Sequence, residues 1–180
     1  MNSVEGSYLK FFSGFSLHNE ATLFADFIPP YDTVAAGFSY GAQQALEYAL
    51  QSEKRIDRLI LLSPAFFQTQ KPSFIRAQLR YFDTDKENYI RRFLENVAYP
   101  CAYDLSSFLK EGSKEELEAL LRYRWSLEKI DKLKAKGVTV EVFLGDQDKI
   151  IDANAAYDFF RTHTVVYTLK GCGHLLKGST

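Results

Sequence analysis

The sequence predicts an α/β protein built on a mostly parallel central sheet of about five to six strands, with helices on both faces. Three observations carry this. Short apolar runs alternate with helical patterns along the chain, as in a sheet crossed over by helices. Leu59-Ile-Leu-Leu62 is the longest uninterrupted aliphatic run, the mark of a strand buried on both faces. The stretch from 63 to 136 breaks the alternation, holding helical patterns and no convincing strand, and reads as a helical lid inserted between the third and fourth clear strands.

The elements follow in order. Tyr8-Leu-Lys-Phe-Phe12 is the first strand, stopped by Ser13-Gly14. Asn19 to Ala25 reads as a short helix, and Pro29-Pro30 forces an extended turn. Thr33-Val-Ala-Ala36 is the second strand. Gly41 to Gln51, rich in Ala, Gln, Leu and Glu, is a helix. Arg58 to Leu62 is the third strand. In the lid, helices are expected over Ser73 to Phe82, Lys86 to Val97 and Ser113 to Leu127. The last opens on Ser113-Lys-Glu-Glu116, a capping box that satisfies two free N–H groups. Val138 to Leu144 is the fourth strand, Ala153 to Phe160 a helix, and Val165 to Leu169 the fifth strand.

The chain has 180 residues, the size of one domain (1–180) with the 63–136 lid inside it. Hydrophobic residues make up 46% and charged residues 25%, which argues against wholesale disorder. A net charge of -1 speaks against a generally basic nucleic-acid binder. No run approaches the roughly 18 apolar residues of a membrane-spanning helix. Met1 to Lys10 shows no basic stretch followed by an apolar core, so a cytoplasmic setting is expected. Cys101 and Cys172 are too few for a disulfide framework or a zinc site. No metal and no cofactor are expected, and a monomer is favoured.

Gly37-Phe-Ser-Tyr-Gly41 is a G-x-S-x-G motif between a strand and a helix. A serine on such a turn projects its hydroxyl from the sheet, and flanking glycines let neighbouring backbone approach. An ordinary tight turn with a solvated serine is the plain alternative. A serine hydroxyl attacks only if a base takes its proton, and the base needs a third group to hold it. The expected chain order is Ser, then Asp or Glu, then His. Here the fourth strand ends in Gly145-Asp-Gln-Asp148 and the fifth in Lys170-Gly-Cys-Gly-His174. Both place a polar group past the carboxyl end of a strand, the edge where Ser39 emerges and where such sheets bind ligands. His174 is therefore the candidate base. His18 precedes the other candidates, and His163 reads as a cap of the preceding helix end. Asp146, Asp148 and Asp152 compete for the acid, with Asp152 placed to cap the helix at Ala153. Two N–H donors are needed for an oxyanion: Tyr40 directly after the nucleophile, and Phe15 in the Ser13-Gly-Phe-Ser16 loop.

Taken together, Phe12 to Ser16, Gly37 to Gly41, Gly145 to Asp148 and Gly173-His174 resemble the α/β-hydrolase superfamily. The resemblance implies a reduced α/β-hydrolase fold. It prefers Asp148, last in Gly145-x-x-Asp148, over Asp146 as the acid. There are departures: Ser13 stands where many relatives carry His, and Ser16 where they carry a second Gly. The leading β-hairpin is absent and the path from Phe15 to Thr33 is short, so a smaller sheet is expected.

Within the superfamily, Gly37 to Ala42 and Leu61-Leu-Ser-Pro-Ala-Phe-Phe67 leading into an Arg-bearing lid resemble the small pimeloyl-[acyl-carrier protein] methyl ester esterases of biotin synthesis, the BioV type. The resemblance implies hydrolysis of that methyl ester, with an acyl-carrier protein as partner. Residues 71 to 92 hold six basic side chains and three acidic ones. Arg76 and Arg80 share a helix face, and Arg91 and Arg92 flank the patch from the next helix. Acidic carrier proteins are steered by such patches, and Arg suits a phosphopantetheine phosphate. A merely solvated helix face is the plain alternative. Phe38, Phe66 and Phe67 are expected as walls of the substrate pocket, although most lid aromatics read as the lid's own core. Two other readings stay open. The triad serves a thioesterase or small-ester carboxylesterase equally well, and a catalytically silent binding scaffold is disfavoured because no triad residue is missing.

Overall fold

The computed structural model describes residues 8–179. The reading of Met1 to Lys10 as lacking a leader falls largely outside the described residues. The sheet has five strands in the order β1-β2-β3-β4-β5. They are β1 (Leu9–Phe12), β2 (Val34–Phe38), β3 (Arg58–Leu62), β4 (Thr139–Gly145) and β5 (Val165–Leu169). All neighbours pair in parallel. The helices are α1 (Tyr40–Gln51), α2 (Pro72–Thr84), α3 (Lys86–Ala98), α4 (Lys114–Arg122), α5 (Leu127–Ala135) and α6 (Ala153–Phe160). Two 3-10 helices span Glu20–Phe27 and Ser106–Phe108.

The central strand β3 accounts for the aliphatic run: Leu59, Ile60, Leu61 and Leu62 are all 0% exposed. Burying each stabilises the fold by roughly 2 kcal/mol. Alternate residues face opposite layers. Ala35, Leu59, Leu61, Val140, Val142 and Leu144 pack on α1, α5 and α6. Val34, Ala36, Phe38, Ile60 and Leu62 pack on the Glu20–Phe27 segment and the end of α3.

The connection from β1 to β2 therefore lies on the face opposite to α1. Phe24 stacks on Phe11 of β1 at 6.2 Å and meets Phe38 of β2 at 4.7 Å. Because the strand order advances in one direction, this crossover has the opposite hand to the three that follow, a rare arrangement in parallel sheets.

Four helices, α2 to α5, lie between β3 and β4. The capping box at Ser113 forms, with Glu116 N–H donating to Ser113 Oγ at 3.1 Å and Ser113 N–H to Glu116 Oε2 at 2.9 Å. A further helix, α5, which the sequence reading did not mark, begins at Leu127, and the helix expected over Ser113 to Leu127 ends at Arg122. Tertiary hydrogen bonds break it: Trp125 donates its backbone N–H to Gln68 and its indole N–H to Ala65 O, at 2.7 and 2.8 Å. Ser126 then caps α5. Among the described residues, no helix is long and apolar enough to cross a membrane.

The crossing of α1 over β1 leaves no room for a side chain at Gly41. A Cβ there would lie 1.9 Å from the carbonyl oxygen of Phe12. Gly41→Ala is expected to lower stability by about 3 kcal/mol, read from urea denaturation midpoints. A loss under about 1 kcal/mol would show that the helix can slide away from the strand.

Candidate active site

Ser39 sits between the end of β2 and the start of α1 with φ 55 and ψ -113. A non-glycine residue there is strained, and surrounding contacts must hold it. The Ser39 N–H donates to Leu62 O at 2.9 Å, and its C=O accepts from Ala42 N–H and Ala65 N–H at 3.1 Å each. Gly37 makes the turn sterically possible, since a Cβ would come 2.1 Å from Gly41 O. The side chain of Ser39 is thereby presented at the carboxyl edge of the sheet.

His174 meets it from the loop after β5. Its Nε2 lies 2.9 Å from Ser39 Oγ and its Nδ1 2.6 Å from Asp148 Oδ2. Both side chains of the His174–Asp148 pair are 0% exposed. With Nδ1–H donating to the carboxylate, Nε2 is left to accept the serine proton. The other oxygen of Asp148 accepts the Ile150 and Ile151 N–H groups at 2.7 and 3.0 Å, which fixes the carboxylate. The ring of Phe38 backs the imidazole at 5.0 Å. Ser63, buried at the end of β3, donates its hydroxyl to His174 O at 2.7 Å. Sequence reasoning missed Ser63, whose only signal was its place directly after a buried strand.

The competing residues are engaged elsewhere. Asp146 accepts the Gly171 N–H at 2.7 Å, which tightens the turn after β5. Asp152 caps α6 through Ala155 N–H at 3.0 Å. His18 Nδ1–H donates to Phe108 O at 3.1 Å. His163 does not cap α6 with its ring: it lies 3.4 Å from Asp131 and 2.8 Å from the Thr162 hydroxyl. Burial and nearby Asp146 push the Cys172 thiol up from its ordinary range.

Ser39 opens on a cavity of about 480 Å³. Its walls are mainly apolar (Phe15, Phe67, Phe74, Phe93, Leu117, Leu120, Leu121, Ile150 and Ile151), with Gln70, Gln78, Tyr81, Asn96, Arg92, Lys149 and Asp152 as polar exceptions. Tyr89 also lines it; burial pushes its phenol up to about 12, and its O–H donates to Gln78 at 2.9 Å. Neither the Phe15 N–H nor the Tyr40 N–H has a hydrogen-bond acceptor among the described residues. The Tyr40 N–H opens a helix, where the dipole favours negative charge.

Two expected pocket walls are corrected. Phe38 does not line the cavity: it faces the opposite layer, behind His174 and against Phe24. Phe66 does not line it either, since its ring packs on Phe159 and Phe160 in the core at 5.4 and 6.1 Å. The alternation of side chains along β2, and the turn after β3, send both inward. Phe67 does line it. Lys149 was not foreseen there. Its ammonium stands 3.5 Å from the Tyr99 ring centroid.

The four lid arginines divide. Arg76 and Arg80 are exposed on α2, and neither is ion-paired among the described residues. Arg92 lines the Ser39 cavity. Arg91 turns to the other side of α3, pairs with Glu95 at 2.7 Å and bonds Asn88. It borders a larger apolar groove of about 880 Å³ that does not include Ser39.

The sequence model of the alpha/beta hydrolase family matches residues 12–176, and the chain belongs to that family. Solved structures agree on the fold. MGS-M2, an alpha/beta hydrolase enzyme from a Medee basin deep-sea metagenome library, superposes with a TM-score of 0.67 at 10% identity, over 97% of this chain and 84% of that one. Carboxylesterase CesB from Bacillus subtilis gives 0.60 at 14% identity, over 96% and 78%. BioG from Haemophilus influenzae gives 0.58 at 13% identity, over 95% and 90%. Comparison with curated proteins gives no significant match.

The geometry separates the two aspartates experimentally. A fluorophosphonate probe is expected to label the wild-type chain at Ser39. Asp148→Asn should slow labelling by on the order of 10³–10⁴-fold, because the imidazole then loses its tautomer. Asp146→Asn should change the rate by about twofold or less. Equal slowing by both would return the choice of acid to open question.

Proposed function

We propose that this chain is a serine carboxylesterase that hydrolyses the methyl ester of pimeloyl-[acyl-carrier protein], giving pimeloyl-[acyl-carrier protein] and methanol. The single observation that carries the esterase reading is the buried, hydrogen-bonded line from Asp148 through His174 to Ser39, opening on an apolar cavity. Its volume of about 480 Å³ falls in the range of small-ligand sites.

The steps follow from the positions of the groups. Ser39 Oγ attacks the ester carbonyl as His174 Nε2 takes its proton. Asp148 holds the Nδ1–H and stabilises the imidazolium. The oxyanion is received by the N–H groups of Tyr40 and Phe15. The C–OCH₃ bond breaks, and His174 returns the proton to departing methanol. Water then attacks the acyl-enzyme with His174 again as base, releasing the carboxylic acid and free Ser39.

The narrower substrate rests on the resemblance to the BioV-type esterases and on charge. The helices inserted between β3 and β4, residues 63–136, form the lid in this reading, with Arg76 and Arg80 on α2 and Arg92 on α3 free to meet an acidic carrier protein or the phosphate of its arm. Arg91, paired with Glu95, contributes less. The apolar walls suit the acyl chain.

The deciding experiment presents pimeloyl-[acyl-carrier protein] methyl ester to the wild-type chain and to Ser39→Ala, with intact-protein mass spectrometry as readout. Ser39-dependent loss of one methylene mass is the expected result. No change, with Ser39-dependent turnover of small esters or other thioesters, would keep the hydrolase and withdraw the substrate and the carrier protein. Arg76→Glu combined with Arg80→Glu is expected to cut kcat/KM on the carrier-bound ester by roughly tenfold or more while sparing a small free ester. Equal loss on both would place these arginines in the lid's fold rather than in carrier binding.

A further inference from the structure

The loop after β1 holds a buried acid that the triad does not use. Glu20 is 0% exposed. Its Oε1 accepts the Gly14 N–H at 2.7 Å, whereas its Oε2 has no hydrogen-bond partner among the described residues. Burying an unpartnered carboxylate oxygen is costly, and an apolar side chain would avoid that cost. The backbone around it is strained as well. Ser16 sits at φ 59, a left-handed region unfavourable to a residue with a Cβ, and Asn19 at φ 60, where asparagine is the residue best tolerated after glycine. Such local costs concentrate where a geometry is held for function.

What is held here is a direction. Gly14 is tied on both sides: its N–H to Glu20, and its C=O to the Leu17 N–H at 3.1 Å. The Gly14–Phe15 peptide is trans, so its N–H and C=O point oppositely. The Phe15 N–H is therefore aimed away from Leu17. It has no acceptor among the described residues, and Phe15 lines the cavity with Ser39.

We propose that Glu20 is a positioning residue: it clamps the Gly14 backbone so that the Phe15 N–H stays aimed at the oxyanion formed when Ser39 attacks. This rests on the serine-hydrolase reading above and is independent of which ester is cleaved. Glu20 touches no reacting atom. The clamp requires an acceptor at Oε1, at the right reach, and does not require the charge.

The test uses hydrolysis of p-nitrophenyl acetate, with active sites counted by fluorophosphonate titration so that kcat refers to folded enzyme. Glu20→Gln keeps the acceptor, and kcat is expected within about threefold of wild type. Glu20→Asp withdraws the acceptor by one methylene and Glu20→Leu removes it. Both are expected to lower kcat by on the order of 10–100-fold with KM changed by about twofold or less, the pattern of an interaction made in the transition state. Should Glu20→Leu not fold, the contrast between Gln and Asp decides alone. Unchanged kcat per titrated site in Asp and Leu variants, with only a lower Tm, would reduce Glu20 to a structural role. An equal fall in Gln and Leu variants would overturn the acceptor argument in favour of charge. If the wild type shows no Ser39-dependent turnover, the hydrolase reading fails and this proposal with it. Turnover that is indifferent to Glu20 removes this proposal alone.

Discussion

The molecule is organised around one unfavourable backbone turn. Ser39 adopts φ 55 and ψ -113, which a residue with a Cβ takes only when its surroundings impose it. Those surroundings are the end of β2, the start of α1 and the end of β3, which together bond both the N–H and the C=O of Ser39. Gly37 and Gly41 lack side chains because α1 must pass within van der Waals reach of β1 and of its own preceding strand. The strain serves a purpose that relaxed geometry would not. It lifts the hydroxyl off the sheet edge and leaves the first N–H of α1 beside it. The buried β3 supplies the rigidity that makes the strain sustainable.

Everything else in the site is fitted to that point. The loop after β4 turns on Asp148, which ties its own following residues through Ile150 and Ile151. The loop after β5 is drawn in by Asp146 on Gly171 and by Ser63 on His174. The imidazole is then held by Asp148, Ser39 and Phe38, and the His174 backbone by Ser63, with no solvent contact. A ring so enclosed keeps one orientation, which in the proposed mechanism lowers the reorganisation needed when the serine proton moves. The inserted helices add the walls of the cavity without contributing to the hydrogen-bonded line.

The β1-to-β2 connection shows how a short path is used. With no regular helix, the Glu20–Phe27 turn crosses beneath the sheet on the face opposite α1 and covers Phe11 and Phe38 with Phe24. Parallel pairing of β1 with β2, Phe12 opposite Gly37, carries the Ser13 to Leu17 loop to the edge where Ser39 stands. Glu20 lies at the start of that turn, so packing of the second face and placement of the loop are one structural event.

Much of this was legible in the residues. The strand pattern, the G-x-S-x-G turn and the order of Ser39, an aspartate after β4 and His174 are local signals: hydrophobic period, glycine spacing and polar residues at strand ends. They set which groups reach the carboxyl edge of the sheet, because a parallel strand delivers its next residue there whatever surrounds it. Other features depend on partners distant in the chain. The break between α4 and α5 follows from Trp125 finding Gln68 and Ala65. The inward turn of Phe38 and Phe66 follows from which layer each strand residue faces. Asp148 rather than Asp146 reaches the histidine because the two loops close on each other in one way only. Composition and spacing therefore determined the class of fold and which polar groups gather at the carboxyl edge of the sheet. Tertiary packing decided which aromatic walls the cavity, which aspartate completes the line and which buried acid holds the loop, since each depends on long-range contacts that no local pattern encodes.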